Sequence, residues 1–206
     1  MNPHQSPTMT ASRIAAVTLV FFGCAAAITT HLGALYGSDL DPVASPLGEL
    51  AWTEDAAWFR YGVWLFAFGH LALVLLLNRP SASRLTRGAQ FFLLVDAGLI
   101  LWLPSHFAST PPTELVAAAS GGPLWLLGGS VGFAMTCVAG ALWRSHRSTA
   151  FLTLVCLLLW SLLAPVFLAV DPSWIGAYQR TVGVVLVFWT AVLAVRIGIL
   201  ERDGTT

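Results

Sequence analysis

The sequence predicts an all-α, polytopic transmembrane bundle of six spanning helices with both termini cytoplasmic, and three observations carry that prediction. Of the 206 residues, 57% are apolar and only 10% charged, where soluble domains carry about a quarter charged residues; the mean hydropathy is +0.77. Six separate windows reach the roughly 20 mainly apolar residues that a membrane-spanning helix requires. Between those windows the basic residues alternate, so that one side of the bundle collects most of them.

The windows run from Ile14 to Tyr36, Ala57 to Leu77, Ala89 to Phe107, Pro123 to Trp143, Thr149 to Val170 and Tyr178 to Leu200. Residues 1–13 and 201–206 remain as short tails. Only the connections 37–56 and 108–122 are longer than turns, so no soluble domain fits between spans. The first window has a competing reading as a signal peptide, with Arg13 ahead of it and Ala25-Ala26-Ala27 as an A-x-A-like cleavage site. Its apolar run continues past those alanines to Tyr36, which favours a span.

Arginine sets the orientation, because cytoplasmic loops carry the excess of basic residues. Arg13, Arg79, Arg84, Arg87, Arg144, Arg147, Arg196 and Arg202 fall on one side. The other side holds Asp39, Asp41, Glu49, Glu54, Asp55, Glu114 and Asp171, with Arg60 and Arg180 as its basic residues. The expected location is the cytoplasmic membrane of a bacterium, with the acidic connection 37–56 facing out. Trp52, Trp58, Trp102, Trp125 and Trp174 fall at the outer ends and Trp143 at an inner end, where indole prefers the headgroup layer.

Net charge is zero, so no global field attracts nucleic acid. Cys24, Cys137 and Cys156 are odd in number, lie in apolar runs and include no CxxC pair, which reads as small buried hydrophobes rather than a disulfide or zinc framework. No phosphate loop, dinucleotide fingerprint, metalloprotease or serine-hydrolase motif is present. No cofactor and no metal are expected.

Small residues permit close helix approach in lipid, where the hydrophobic effect does not drive helix to helix. Gly128, Gly132, Thr136 and Gly140 recur every fourth residue and form a ridge for a neighbouring helix; Gly23 and Ala27, beside Ala26 and Thr30, are a weaker version. Pro104 and Pro165 sit near outer helix ends, where each frees a carbonyl.

Ionisable groups at membrane depth cost roughly 2.5–3.5 kcal/mol on insertion scales and need an explanation. His70 and Asp96 each lie seven residues from the inner end of an adjacent span, about 10 Å deep at 1.5 Å per residue. They suit either a proton-relay or metal-ligand pair, or an interhelical hydrogen bond that keeps a hairpin in register. Near the outer ends of four different spans lie His31, Arg60, His106 and Arg180. With Glu49 and its acidic neighbours they form an outer cap in which two arrangements are open. Either carboxylates pair with Arg60 and Arg180 and clamp the connection, or the same groups line a pocket for an anionic headgroup or small polar solute.

Three stretches, "SPLGEL", "AAWFRYGVWLFAFGHLALVLLL" and "WIGAYQRTVGVVLVFWTAVLAVRI", resemble the domain of unknown function 998 family of bacterial and archaeal six-helix membrane proteins. Gln179 and Arg180 look like the glutamate/glutamine-arginine step that opens the last helix of that family. The stretch "STPPTELVAAASGGPLW" lacks the aspartate and the histidine that many members carry there. The resemblance implies the six-helix layout and no biochemical activity.

The expected function is therefore non-catalytic: an outward-facing polar cap that binds or passes a lipid headgroup or small solute. Two alternatives are an intramembrane His/Asp metal-dependent hydrolase, which needs at least three ligands at one depth, and an accessory or structural subunit. Expected partners are membrane lipids and no nucleic acid; no feature calls for a homo-oligomer.

Overall fold

Apolar runs of this length, rich in leucine, alanine and valine and interrupted only by clusters of polar and turn-forming residues, satisfy their backbone hydrogen bonds internally by forming helices. A computed structural model describes residues 11–78, 82–111, 114, 122–166 and 170–200. Among the described residues six α-helices follow in order: α1 Ala11–Tyr36, α2 Ala56–Leu77, α3 Arg84–Ser109, α4 Gly122–Leu142, α5 Arg147–Val166 and α6 Ile175–Leu200. Two short 3-10 turns, Leu47–Trp52 and Pro172–Trp174, precede α2 and α6. Among the described residues all regular structure is helical. Five helices, α1, α2, α3, α4 and α6, are long and apolar enough to cross a membrane; the apolar part of α5, Arg147–Leu163, is shorter. The chain is a helical multi-pass membrane protein. Arg79 and Arg202, counted in the sequence-based orientation, lie outside the described residues.

Each helix packs on the next, and α6 returns to α1, so the six form a closed ring. Side-chain bonds fix the registers. Between α2 and α3, the Trp64 indole donates to the Leu101 carbonyl at 3.2 Å and Gln90 donates to the Val74 carbonyl at 3.3 Å, so these helices run antiparallel. Between α1 and α6, Arg13 donates to the Ile197 carbonyl at 3.5 Å, Cys24 to the Val187 carbonyl at 3.8 Å, and Arg180 to His31 at 3.2 Å. The pairing advances on one helix as it retreats on the other, so these two are antiparallel as well.

Alternation around the ring segregates charge. One end holds Arg13, Arg84, Arg87, Arg144, Arg147 and Arg196; the other holds Asp39, Asp41, Glu49, Glu54, Asp55 and Asp171. We refer to these as the arginine end and the carboxylate end. Trp52, Trp58, Trp102, Trp125, Trp143 and Trp174 are all exposed, whereas Trp160 and Trp189 are buried in the core. The core itself runs through the centre of the ring, from Val20 and Cys24 on α1 through Leu73, Leu93, Val131, Met135 and Cys156 to Leu193 and Ile197 on α6.

The closest helix approach is between α1 and α2. A Cβ on Gly23 would come within 2.5 Å of the Leu65 carbonyl oxygen, and one on Gly62 within 2.9 Å of the Ala26 carbonyl oxygen. Both glycines therefore set the spacing of this pair. The Gly128–Gly140 ridge is used differently. The Trp160 indole of α5 lies 3.8 Å from where a Gly132 Cβ would be and donates to the Gly128 carbonyl at 2.8 Å. Gly140 meets Leu85 of α3, and Thr136 is exposed. One large side chain, rather than a helix backbone, fills the middle of the ridge.

Candidate functional site

At the carboxylate end the connection between α1 and α2 folds back across the ring. The Asp41 carboxylate accepts from the Val43 amide at 2.7 Å and the Asp41 carbonyl from the Ser45 amide at 2.8 Å, a side-chain-stabilised turn of the kind aspartate favours. The 3-10 turn Leu47–Trp52 follows. It inserts Leu50, fully buried, against Ala34 and Phe59, and Ala51 against Leu103 and Phe107. The Trp52 indole donates to the Phe107 carbonyl at 3.0 Å. The connection thus touches α1, α2, α3 and α6.

Arg180 at the head of α6 holds it there. Its Nη1 donates to the Pro42 and Ser45 carbonyls, each at 2.9 Å, and its Nε donates to His31 Nε2 at 3.2 Å. Arginine can only donate, so His31 Nε2 is bare and the ring proton sits on Nδ1. The side-chain Oε1 of the adjacent Gln179 accepts from the Leu47 amide at 2.7 Å, and the Ala177 amide donates to the Val43 carbonyl at 2.9 Å. Gly176 permits this approach: a Cβ there would lie 2.3 Å from the Ser45 carbonyl oxygen.

The arrangement differs in kind from the expected carboxylate–arginine pairing. Among the described residues, neither Arg180 nor Arg60 forms an ion pair. Inward-turned carbonyls of the connection reach the guanidinium, while Asp41 uses its carboxylate within its own turn; Asp41 and Glu49 act on Arg180 only as charges at a distance. Arg60 is half-buried on α2 without a bonded partner among the described residues. His106 stacks on Trp102, centroids 4.4 Å apart, on the far side of the ring from the His31–Arg180 contact. At the start of α6, the Ser173 hydroxyl and amide both donate to Asp171, at 2.7 and 2.9 Å, and these bonds hold its carboxyl below the usual carboxylate range.

The second polar region is inside the ring. His70 and Asp96 have no exposed surface. His70 Nδ1 bonds the Phe66 carbonyl at 3.2 Å, its ring edge-to-face with Phe66 at 4.7 Å. Asp96 Oδ1 accepts from the Ser130 hydroxyl of α4. Asp96 lies at mid-helix, because α3 begins at Arg84, earlier than the sequence window, and leaves twelve residues before it and thirteen after; His70 has seven residues of α2 after it, as the sequence window placed it. Counting inward from the Trp64–Leu101 and Gln90–Val74 bonds puts His70 and Asp96 at the same level within two residues. Counting from Cys24–Val187 puts Thr190 opposite Phe21, next to Val20, which packs on Gly69. His70, Asp96, Ser130, Trp189 and Thr190 therefore share one layer.

Within that layer His70 Nε2, Asp96 Oδ2, Trp189 Nε1 and Thr190 Oγ1 are buried with no hydrogen-bond partner among the described residues. A carboxylate oxygen can only accept and an indole N–H can only donate; Nδ1 of His70 carries the proton toward the Phe66 carbonyl, so Nε2 of the neutral ring accepts, and a hydroxyl can do either. The four atoms thus offer both polarities on three helices. Neither Ser130, Trp189 nor Thr190 stands out in the sequence, since a hydroxyl or an indole in an apolar run signals nothing about depth. Among the described residues no three His, Cys, Asp or Glu side chains converge as metal ligands.

Together, ring, cap and layer define a polytopic helical membrane protein with a connection folded across its carboxylate end and a polar interior level. Compared with family models, curated proteins and solved structures, the chain matches none.

Proposed function

We propose that the chain is a six-helix protein of a bacterial cytoplasmic membrane, with both termini cytoplasmic, that carries protons on water bound in the His70–Asp96 layer. The arginine-rich end supports the cytoplasmic placement, and the resemblance to the domain of unknown function 998 family fits the same setting. One observation carries the functional reading: four fully buried polar atoms share a level and lack partners. Each such group costs about 1–3 kcal/mol, and a direct His70–Asp96 bond would have removed two of those costs. Water, with two donors and two acceptors, suits groups of both polarities at one level, and His70 and Asp96 are the groups able to exchange a proton with it. The cap is then the outer seal.

The test uses full-length protein in liposomes with an entrapped pH-sensitive dye and an imposed pH step. Acidification of the lumen is expected to exceed that of protein-free liposomes, and to slow at least ~10-fold in Asp96→Asn, about 1.4 kcal/mol on the barrier. Equal rates in wild type, Asp96→Asn and His70→Gln would leave the layer a packing feature only.

A second reading, in which the cap binds an anionic headgroup or solute, is favoured by one atom. Arg180 Nη2 is buried without a partner and suits a phosphate or carboxylate oxygen. On that reading His31 positions the guanidinium, and Glu49 orients it through its charge. Arg180→Gln would then weaken binding of phosphatidylglycerol vesicles while leaving membrane insertion intact.

A further inference from the structure

We propose that the groove between α1 and α2 at the carboxylate end seats the primary ammonium of an amino-headgroup phospholipid, with Asp55 as its counter-ion. The groove has a volume of about 280 Å3 and is lined by Thr29, Thr30, Gly33, Ala34, Asp55 and Trp58, a space suited to a headgroup and smaller than most drug-sized sites. The proposal is independent of the proton-carrying layer.

The hydrogen-bonding character of the groove follows from where its protons already go. The Thr29 hydroxyl donates to the Ala25 carbonyl at 2.9 Å, with a longer contact of 3.3 Å to Ala26, and the Thr30 hydroxyl donates to the Ala26 carbonyl at 2.8 Å. A hydroxyl has one proton, so each oxygen can only accept from a further group; Thr30 Oγ1 lies against Gly62 of α2, and the exposed Thr29 is the one that presents its oxygen at the groove. Asp55 is an acceptor too, and among the described residues no basic side chain is bonded to it. Gly37 permits the position of the half-buried Asp55 carboxylate, since a Cβ there would lie 2.5 Å from Asp55 Oδ2. The Thr29 oxygen and the Asp55 carboxylate accept, and the Trp58 indole N–H is the lining side-chain donor; a site with a carboxylate and no lining basic side chain suits a cation that donates several hydrogen bonds better than a phosphate.

Trp58 supplies the remaining wall. It is 64% exposed, and its ring packs edge-on to Tyr61 at 6.4 Å, which packs edge-on to Trp64 at 5.7 Å. This orders an indole face beside the carboxylate, and such a face attracts ammonium groups. A lipid rather than a free amine is indicated by what adjoins the groove. Ile28 and Leu32 of α1 are exposed apolar side chains flanking Thr29, in position to meet acyl chains once the headgroup is seated at the interfacial tryptophan level.

The test is native mass spectrometry of the detergent-solubilised full-length protein titrated with phosphatidylethanolamine, phosphatidylcholine and phosphatidylglycerol. Phosphatidylethanolamine is expected to bind at least ~10-fold tighter than either competitor, equivalent to about 1.4 kcal/mol. Asp55→Asn should remove that preference without altering phosphatidylglycerol binding, and Thr29→Val should weaken phosphatidylethanolamine binding ~3-fold. If Asp55→Asn fails to fold, Thr29→Val and Trp58→Leu decide, each expected to lower the same affinity selectively. A preference for phosphatidylcholine, unchanged affinities in the variants, or free ethanolamine competing as effectively as the intact lipid would each overturn the assignment.

Discussion

The cap and the interior layer are both polar, yet their hydrogen-bonding states are opposite. In the cap, Arg180, Gln179 and Ala177 together make five bonds to His31 and to backbone groups of the connection, and a single guanidinium nitrogen is left over. In the layer, four atoms are left over and the one interhelical bond is Ser130 to Asp96. A nearly satisfied network rigidifies, whereas buried polar groups without partners are retained at a cost that stability does not explain. The difference separates a connection held by carbonyls around Arg180 from an interior level with hydrogen-bonding capacity to spare.

Several substitutions would break or sharpen this contrast. Gly176→Leu should have the largest effect, because its side chain must displace the Ser45 and Val43 carbonyls; a loss of about 3 kcal/mol or more is expected, read as a lowered melting temperature. Arg180→Gln should follow, with about 2–4 kcal/mol lost as three bonds from a charged donor disappear. Limited proteolysis should then cut within residues 37–55. Ser130→Ala orphans the second Asp96 oxygen and should lower the melting temperature by the equivalent of about 1–3 kcal/mol, with residues 37–55 still protected from protease. If Ser130→Ala instead exposed that connection, cap and layer would be one unit and the contrast would fail.

Asp171→Asn should give the smallest change, and its sign with pH is fixed. The folded carboxyl titrates below its ordinary range because Ser173 bonds the charged form. Its contribution is therefore present above that range and lost as the pH falls through the lowered value. Wild type should lose a little thermal stability on acidification that Asp171→Asn does not.

The helical bundle was legible because apolar length acts on the whole chain: the six windows overlap α1 to α6, of which five are long and apolar enough to cross a membrane and α5 is shorter. The α3 boundary was misplaced because Leu85 and Thr86 lie between arginines that interrupt the apolar run, although Ser83 caps the helix by accepting from the Thr86 amide at 3.1 Å. His31, Arg180, His70 and Asp96 were legible as costly residues at depth, but their partners were not. Charge suggested carboxylates for Arg180, and the actual partners are carbonyls, which every residue carries and no sequence displays. Likewise the four-residue glycine ridge of α4 was more conspicuous than Gly23 and Gly62, whose fit depends on two helices at once.

The most direct measurement is a density map of the full-length protein in a lipid nanodisc, at a resolution that shows ordered water. Density for water within about 3 Å of both His70 Nε2 and Asp96 Oδ2 is the expected result. A His70 ring bonded directly to Asp96, with no other density at that level, would contradict a water-bearing layer and leave the pair as a register lock.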